Sequence, residues 1–155
     1  STRTVITRDL PYNFMIKSQN KKLSSSKNIQ EWYELNEKIQ FSDIHFPPCI
    51  KLILNGLHDG RKRALFILLN FFSSLNLGHD DMKKILKDWN KKNAPPLPEN
   101  YIESQLTYHA YNKKRILPPN CNNNAYYLDI GVCKPDNLCS KIKNPVIYVI
   151  RKIKK

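Results

Sequence analysis

Residues 121–142 carry no apolar period long enough to give a helix or strand a buried face, yet they hold three of the chain's four cysteines. Asn122-Asn123-Asn124, Gly131 and Pro135-Asp136 are turn-forming residues and predict loops and single helical turns. A segment of that kind has no core of its own, so something must hold it in place. Cys121-x11-Cys133-x5-Cys139 places three thiols within 19 residues, and Cys49 stands alone far upstream. Two readings compete: four thiolates converging on a metal or cluster, whose binding energy becomes folding energy, or ordinary buried thiols. Zinc ribbons and fingers pair their ligands in short C-x2–4-C knuckles, of which there are none. Wide, unequal spacing from loops suits four thiolates around an iron–sulfur cubane better. Residues 1–9 contain no apolar signal core, which argues against a secreted disulfide framework. The diprolines Pro47-Pro48 and Pro118-Pro119 each fix the backbone just ahead of a cysteine, as suits a ligand that must not move.

The rest of the chain reads as helical, and the predicted fold class is all-α. It is a compact helical domain with a loop-rich C-terminal part held by the four cysteines. At 155 residues and 41% hydrophobic content it is long enough for one core, taken as a domain over 41–155 preceded by an extension, 1–40. That extension carries one helical face, Ile29, Trp32, Leu35 and Ile39. Pro48 suits the first turn of a short helix over 48–55, closed near Gly56. Asp59 is read as the N-cap of a helix over about 60–75, apolar on more than half its girth and therefore central and buried. Asp80 or Asp81 is expected to cap a helix over 81–92. Its Met82, Ile85, Leu86 and Trp89 fall at i, i+3, i+4 and i+7. A rigid Pro-rich loop, 94–98, precedes a helix over 100–112 that buries Ile102, Leu106 and one of Tyr108 and His109. The apolar run 146–150 ends in a basic tail, 151–155, read as solvated or facing DNA.

Charge narrows the function. There are 26 Lys and Arg against 13 Asp and Glu, a net of +13, and such an excess favours a polyanionic partner, most often nucleic acid. Two places concentrate it. His58-Asp59-Gly60-Arg61-Lys62-Arg63 opens the long helix, where unpaired N–H groups and the helix dipole already favour an anion. Gly60 would let a phosphate approach the backbone, and Arg61 could grip it with two donors. The plainer reading is a capped helix with a solvated basic first turn. Tyr108, Tyr111, Lys113, Lys114 and Arg115 interleave aromatics with positive charge, which suits a single strand with stacked bases; helix packing with a solvated end is the alternative.

Phe46-Pro47-Pro48-Cys49, His58-x-Gly60-Arg61, Tyr108-His109, Leu117-Pro118-Pro119-Asn120-Cys121, Gly131-x-Cys133 and Cys139 occur in an order and spacing that resembles one family. It is the C-terminal iron–sulfur domain of the archaeal and eukaryotic DNA primase large subunit, and the likeness runs over about 46–148. The resemblance implies a [4Fe–4S] cluster held by Cys49, Cys121, Cys133 and Cys139, with His58 and Arg61 at the 5′-triphosphate of the initiating nucleotide. It also places Tyr108 and His109 near the template, where the family has a Tyr-Asn pair, so that His109 departs from the pattern. Asn122-Asn123-Asn124-Ala125-Tyr126-Tyr127 replaces a His-rich insertion of the eukaryotic members.

The function so implied is accessory. Such a domain holds template DNA, an RNA or DNA primer and the initiating nucleoside triphosphate for a separate catalytic primase subunit or domain, in the cytoplasm or nucleus and away from membranes. Catalysis by this chain alone is disfavoured because none of its 13 acidic residues forms the D-x-D or E-x-E pair that two-metal polymerisation uses. The alternatives are a DNA-binding or structural relative without a cluster, and a redox iron–sulfur protein that binds no nucleic acid.

Overall fold

The computed structural model describes residues 42–112 and 116–154. The predicted helical face around Trp32 and the basic run 113–115 lie outside the described residues. Among the described residues there are five α-helices and two 3-10 turns, and no strand. The helices are α1 (Pro48–Leu54), α2 (Arg61–Ser74), α3 (His79–Asn90), α4 (Glu99–Tyr111) and α5 (Pro145–Lys154). The 3-10 turns are Asp43–His45, ahead of α1, and Leu138–Lys141, ahead of α5.

The apolar girth of α2 makes it the central element. Ala64, Leu65, Ile67, Leu68, Leu69, Phe71 and Phe72 are all buried. Helix α3 packs against both α2 and α4, while α5 packs against α2 and the first 3-10 turn. The i, i+3, i+4, i+7 pattern of α3 is realised in full, with Met82, Ile85, Leu86 and Trp89 buried. Its solvent-side edge joins α4 through Lys87, which reaches Glu103 at 2.5 Å and Glu99 at 3.3 Å. Such exposed pairs set the register of two helices more than their stability.

Phe46, fully buried, places the start of α1. Its ring meets Phe71 and Phe72 edge-on at 5.2 and 5.9 Å, an arrangement aromatic pairs prefer. Pro47 then stands at the N-cap and Pro48 at the first helical position, where a missing N–H costs nothing. At the other end of α1 the indole of Trp89 donates to the carbonyl of Ile53 at 2.7 Å, a second partner for a group that also accepts from Gly56 N–H. Gly56, at φ 99°, follows directly. A side chain there would collide with the carbonyl of Lys92, 2.2 Å from the position of a Cβ.

Three expectations change. Gly60, not Asp59, is the N-cap of α2, and Gly78, not Asp80 or Asp81, is the N-cap of α3; neither helix has a side-chain cap. Both aspartates instead lie in the first turn of α3, where their charge complements the helix dipole. The apolar run at 146–150 and most of the basic tail form one helix, α5, which buries Val146, Tyr148, Val149 and Ile150 and exposes Arg151 and Lys152. Of the pair Tyr108 and His109, His109 is the one drawn inward.

Replacing Trp89 with Phe keeps most of the apolar volume and removes the indole donor to Ile53. The loss of a buried hydrogen bond should lower unfolding free energy by about 1–3 kcal/mol, read as a shift in the urea midpoint at unchanged slope.

Candidate functional site

The first turn of α2 has no acidic residue and no side-chain cap. It opens onto a cleft of about 240 Å³ lined by Asp59, Gly60, Arg61, Lys62, Arg63 and Leu97. Three consecutive cations and the uncapped N-terminus of a 14-residue helix therefore face one shallow space, with Asp59 the one opposing charge in its lining. His58, one residue before Asp59, is exposed and is not among the residues lining the cleft. Neither arginine simply trails in solvent. Arg61 donates through Nη1 to the carbonyl of Pro95, and Arg63 donates through Nη1 to the carbonyl of Ala125 at 2.7 Å. Each guanidinium has five donors in a fixed fork, so one anchored nitrogen leaves the rest available and better aimed. Lys62 lies over the ring of Tyr101, 4.8 Å from its centre, a cation–π contact that ties the cleft to α4.

Gly60 does something other than admit a phosphate. Its φ is 74°, a left-handed value that glycine alone takes freely. The space above its Cα is filled by Ile130, whose Cγ2 stands 2.4 Å from where a Cβ would be. The close approach that requires glycine is made by the cysteine-rich segment. That segment is also held through Arg63 and Ala125, and through the ring of Tyr126, 5.6 Å from that of Phe66 on α2.

All four cysteines are free thiols and all are partly buried. Cys49 sits in the first turn of α1, Cys121 and Cys133 on the loops, and Cys139 on the second 3-10 turn. The fold brings them within electrostatic reach of one another. Burial, and then the neighbouring Cys121, Cys139 and Cys133, push the Cys49 thiol far above its ordinary range. Cys121 is pushed up to about 11, by burial first and then by Cys139 and Cys133. Burial also raises Cys139. Burial and mutual repulsion thus both favour the neutral thiols over the thiolates. Among the described residues no group of three His, Cys, Asp or Glu side chains is arranged to hold a single metal ion.

The loops around the thiols are heavily tied. Tyr127, buried, donates its hydroxyl to the carbonyl of Pro119 at 2.6 Å, and its own carbonyl accepts from the N–H groups of Val132 and Cys133. Cys121 N–H donates to the carbonyl of Lys143 at 2.8 Å. The buried amide of Asn144 holds the Pro118 carbonyl at 2.8 Å and Asn120 Oδ1 at 3.0 Å. Asp136 accepts from the N–H groups of Leu138 and Cys139 and from the hydroxyl of Tyr148 at 2.5 Å. The Asp136 bonds to Leu138 and Cys139 are local and suit a Pro-Asp turn; the Asn144 and Tyr148 contacts follow from tertiary proximity, and no spacing in the sequence announces them.

The expected nucleic-acid face is realised in part. Tyr108 and Tyr111, three residues apart on the last turn of α4, are 67% and 88% exposed, so neither is spent on packing. His109 is half-buried, and its Nε2 pairs with Asn70 Oδ1 of α2 at 3.2 Å. It therefore ties α4 to α2. Lys113, Lys114 and Arg115 lie outside the described residues.

No family model matches the chain, and no solved structure matches it. Two curated proteins do. One is the DNA primase large subunit PriL of Thermococcus kodakarensis, 26% identical over a 148-residue alignment that covers 70% of this chain and 36% of the relative. The other is the DNA primase large subunit PriL of Methanothermobacter thermautotrophicus, also 26% identical, over 69% of this chain and 33% of that protein. The chain spans about a third of the length of the curated relatives it matches.

The contact between Gly60 and Ile130 gives a direct test of how the cleft is joined to the cysteine segment. Gly60→Ala should destabilise the chain by roughly 1–3 kcal/mol, through a left-handed backbone and a steric clash together. Adding Ile130→Ala should restore only the part due to the clash. Thermal unfolding of the two single variants and the double variant separates the contributions, and additivity of the singles would mean the two residues do not meet.

Proposed function

We propose that this chain, whose matched stretch is related to archaeal DNA primase large subunits, serves primer initiation. It would grip the 5′-triphosphate of the initiating nucleotide and hold template beside it for a catalytic primase subunit or domain. The observation that carries the reading is the cleft at the start of α2, where Arg61, Lys62 and Arg63 meet an uncapped helix N-terminus. A triphosphate bears several charges on one short chain of oxygens. The cleft offers three side-chain cations plus backbone N–H groups over a similar span, and its two arginines are already braced on Pro95 and Ala125. His58, exposed just ahead of the cleft in sequence, would supply a fourth donor. The exposed pair Tyr108 and Tyr111 gives unpaired template bases a surface to stack on.

A [4Fe–4S] cluster on Cys49, Cys121, Cys133 and Cys139 belongs to the same proposal. Four soft donors fit it, although the Asp136 carboxylate stands beside Cys139. The four thiols lie within electrostatic reach of one another, and a cluster takes one thiolate from each of four cysteines. In that arrangement the cluster is a structural pin. It would fix the segment that carries Ala125 and Ile130, and hence the direction in which Arg63 and the start of α2 face.

The binding test compares a template–primer bearing a 5′-triphosphate with the same duplex bearing a 5′-hydroxyl. His58→Ala and Arg61→Ala should each lose about tenfold in affinity for the triphosphate form, the scale of one charge-assisted hydrogen bond, with little change for the hydroxyl form. Equal losses on both would reduce the two residues to general electrostatics. For the cluster, anaerobically purified chain should be brown, with about four irons per chain and absorbance near 400 nm. Cys49→Ser should lower both. A colourless, iron-free and fully folded chain would sink this half of the reading.

A further inference from the structure

We infer that the triphosphate preference proposed for the cleft is set by two buried asparagines on the opposite side of it, Asn90 and Asn93; this rests on that functional reading. Neither touches the cleft. Asn93 Oδ1 accepts from the N–H of Leu57 at 2.8 Å, and the N–H of Ala94 donates to the Leu57 carbonyl at 3.0 Å. Both polar groups of the residue immediately before His58 are therefore held by the loop after α3. Asn90 fixes the other end of that loop, its Oδ1 accepting from Leu97 N–H and its Nδ2 donating to the Leu97 carbonyl, both at 2.8 Å. Asn93 Nδ2 joins the pair by donating to Asn90 Oδ1 at 3.2 Å.

Between these two clamps lies the carbonyl of Pro95, which receives Arg61, while Leu97 itself lines the cleft. The backbone at Gly56 passes so close to the Lys92 carbonyl that no side chain fits between them. One small network thus fixes His58 from its preceding residue and Arg61 from its acceptor. Both asparagines are nearly inaccessible, at 8% and 4% exposed, and every bond within the network requires one particular orientation of each amide. Asn90 and Asn93 are positioning residues. Misplacing a binding group by a fraction of its length weakens a multidentate grip far more than a diffuse attraction, so their loss should act on discrimination between 5′ ends.

The experiment uses the full chain and measures the ratio of affinities for 5′-triphosphate and 5′-hydroxyl template–primer, with thermal unfolding as the folding control. Asn93→Ala should lower that ratio about tenfold while leaving the 5′-hydroxyl affinity within about twofold. In combination with His58→Ala it should lower the ratio no further than the stronger single variant does. Asn93→Asp keeps the acceptor facing Leu57 and loses only the link to Asn90. It should retain more of the ratio than Asn93→Ala although it adds a negative charge, whereas a purely electrostatic role for the loop orders these two variants the other way. If Asn93→Ala does not fold, the Asn93→Asp ratio measured against wild type and against Asn93→Leu decides the matter. A wild-type preference that survives in both Asn93→Ala and Asn93→Leu overturns this inference alone. A wild-type chain with no triphosphate preference overturns it together with the functional reading.

Discussion

The seat of Ile130 over Gly60 is the contact on which the rest of the site depends. A helix N-terminus becomes a directed anion site only if its first residues are held, and α2 has no side-chain cap to hold them. The cysteine-rich segment supplies the hold from one side, through Ile130 against the glycine and Ala125 on Arg63. The loop after α3 supplies it from the other, through Pro95 on Arg61. Charge is abundant in this chain and cheap to arrange. Orientation is scarce, and here it is provided by two irregular segments meeting at the end of a rigid helix.

The same logic explains why the four thiols and the cationic cleft sit side by side. The segment that braces Arg63 has little core of its own; Tyr127 and Val132 are its main buried apolar residues. Its geometry is maintained by hydrogen bonds around Cys121, among them Tyr127 to Pro119, Asn144 to Pro118 and Cys121 N–H to Lys143. A binding surface built on such a segment is only as stiff as its anchors, so the anchors and the surface form one functional unit.

Much of the fold was legible in the sequence. The apolar spacing of Met82, Ile85, Leu86 and Trp89, and the girth of α2, report burial directly, because a helix without a partner for that face would not persist. Cap identities were less legible. Asp59 and Asp80 are good cap residues by type, but Gly60 and Gly78 hold the positions; at Gly60 left-handed geometry and close packing exclude any side chain, whereas Gly78 is extended with open space around it. The site was half legible. Its basic first turn and the four thiols could be read from spacing and charge. The Asn90–Asn93 network could not, because asparagines near a proline-rich loop signal a turn and say nothing of what the turn supports. The apolar run at 146–150 was too short for its helical period to emerge until the basic residues after it were seen to share the same helix.

Chain order adds a consequence of its own. Cys49 leads the described part of the chain, and the other three thiols follow α2, α3 and α4 in sequence, with Cys121 some 70 residues later. Closing a loop of that length is costly in entropy unless the intervening chain is already compact. The packing of the helical body between them is what brings the thiols near one another. On the function proposed above, a chain whose helices have formed without that closure would keep its cations but not their aim.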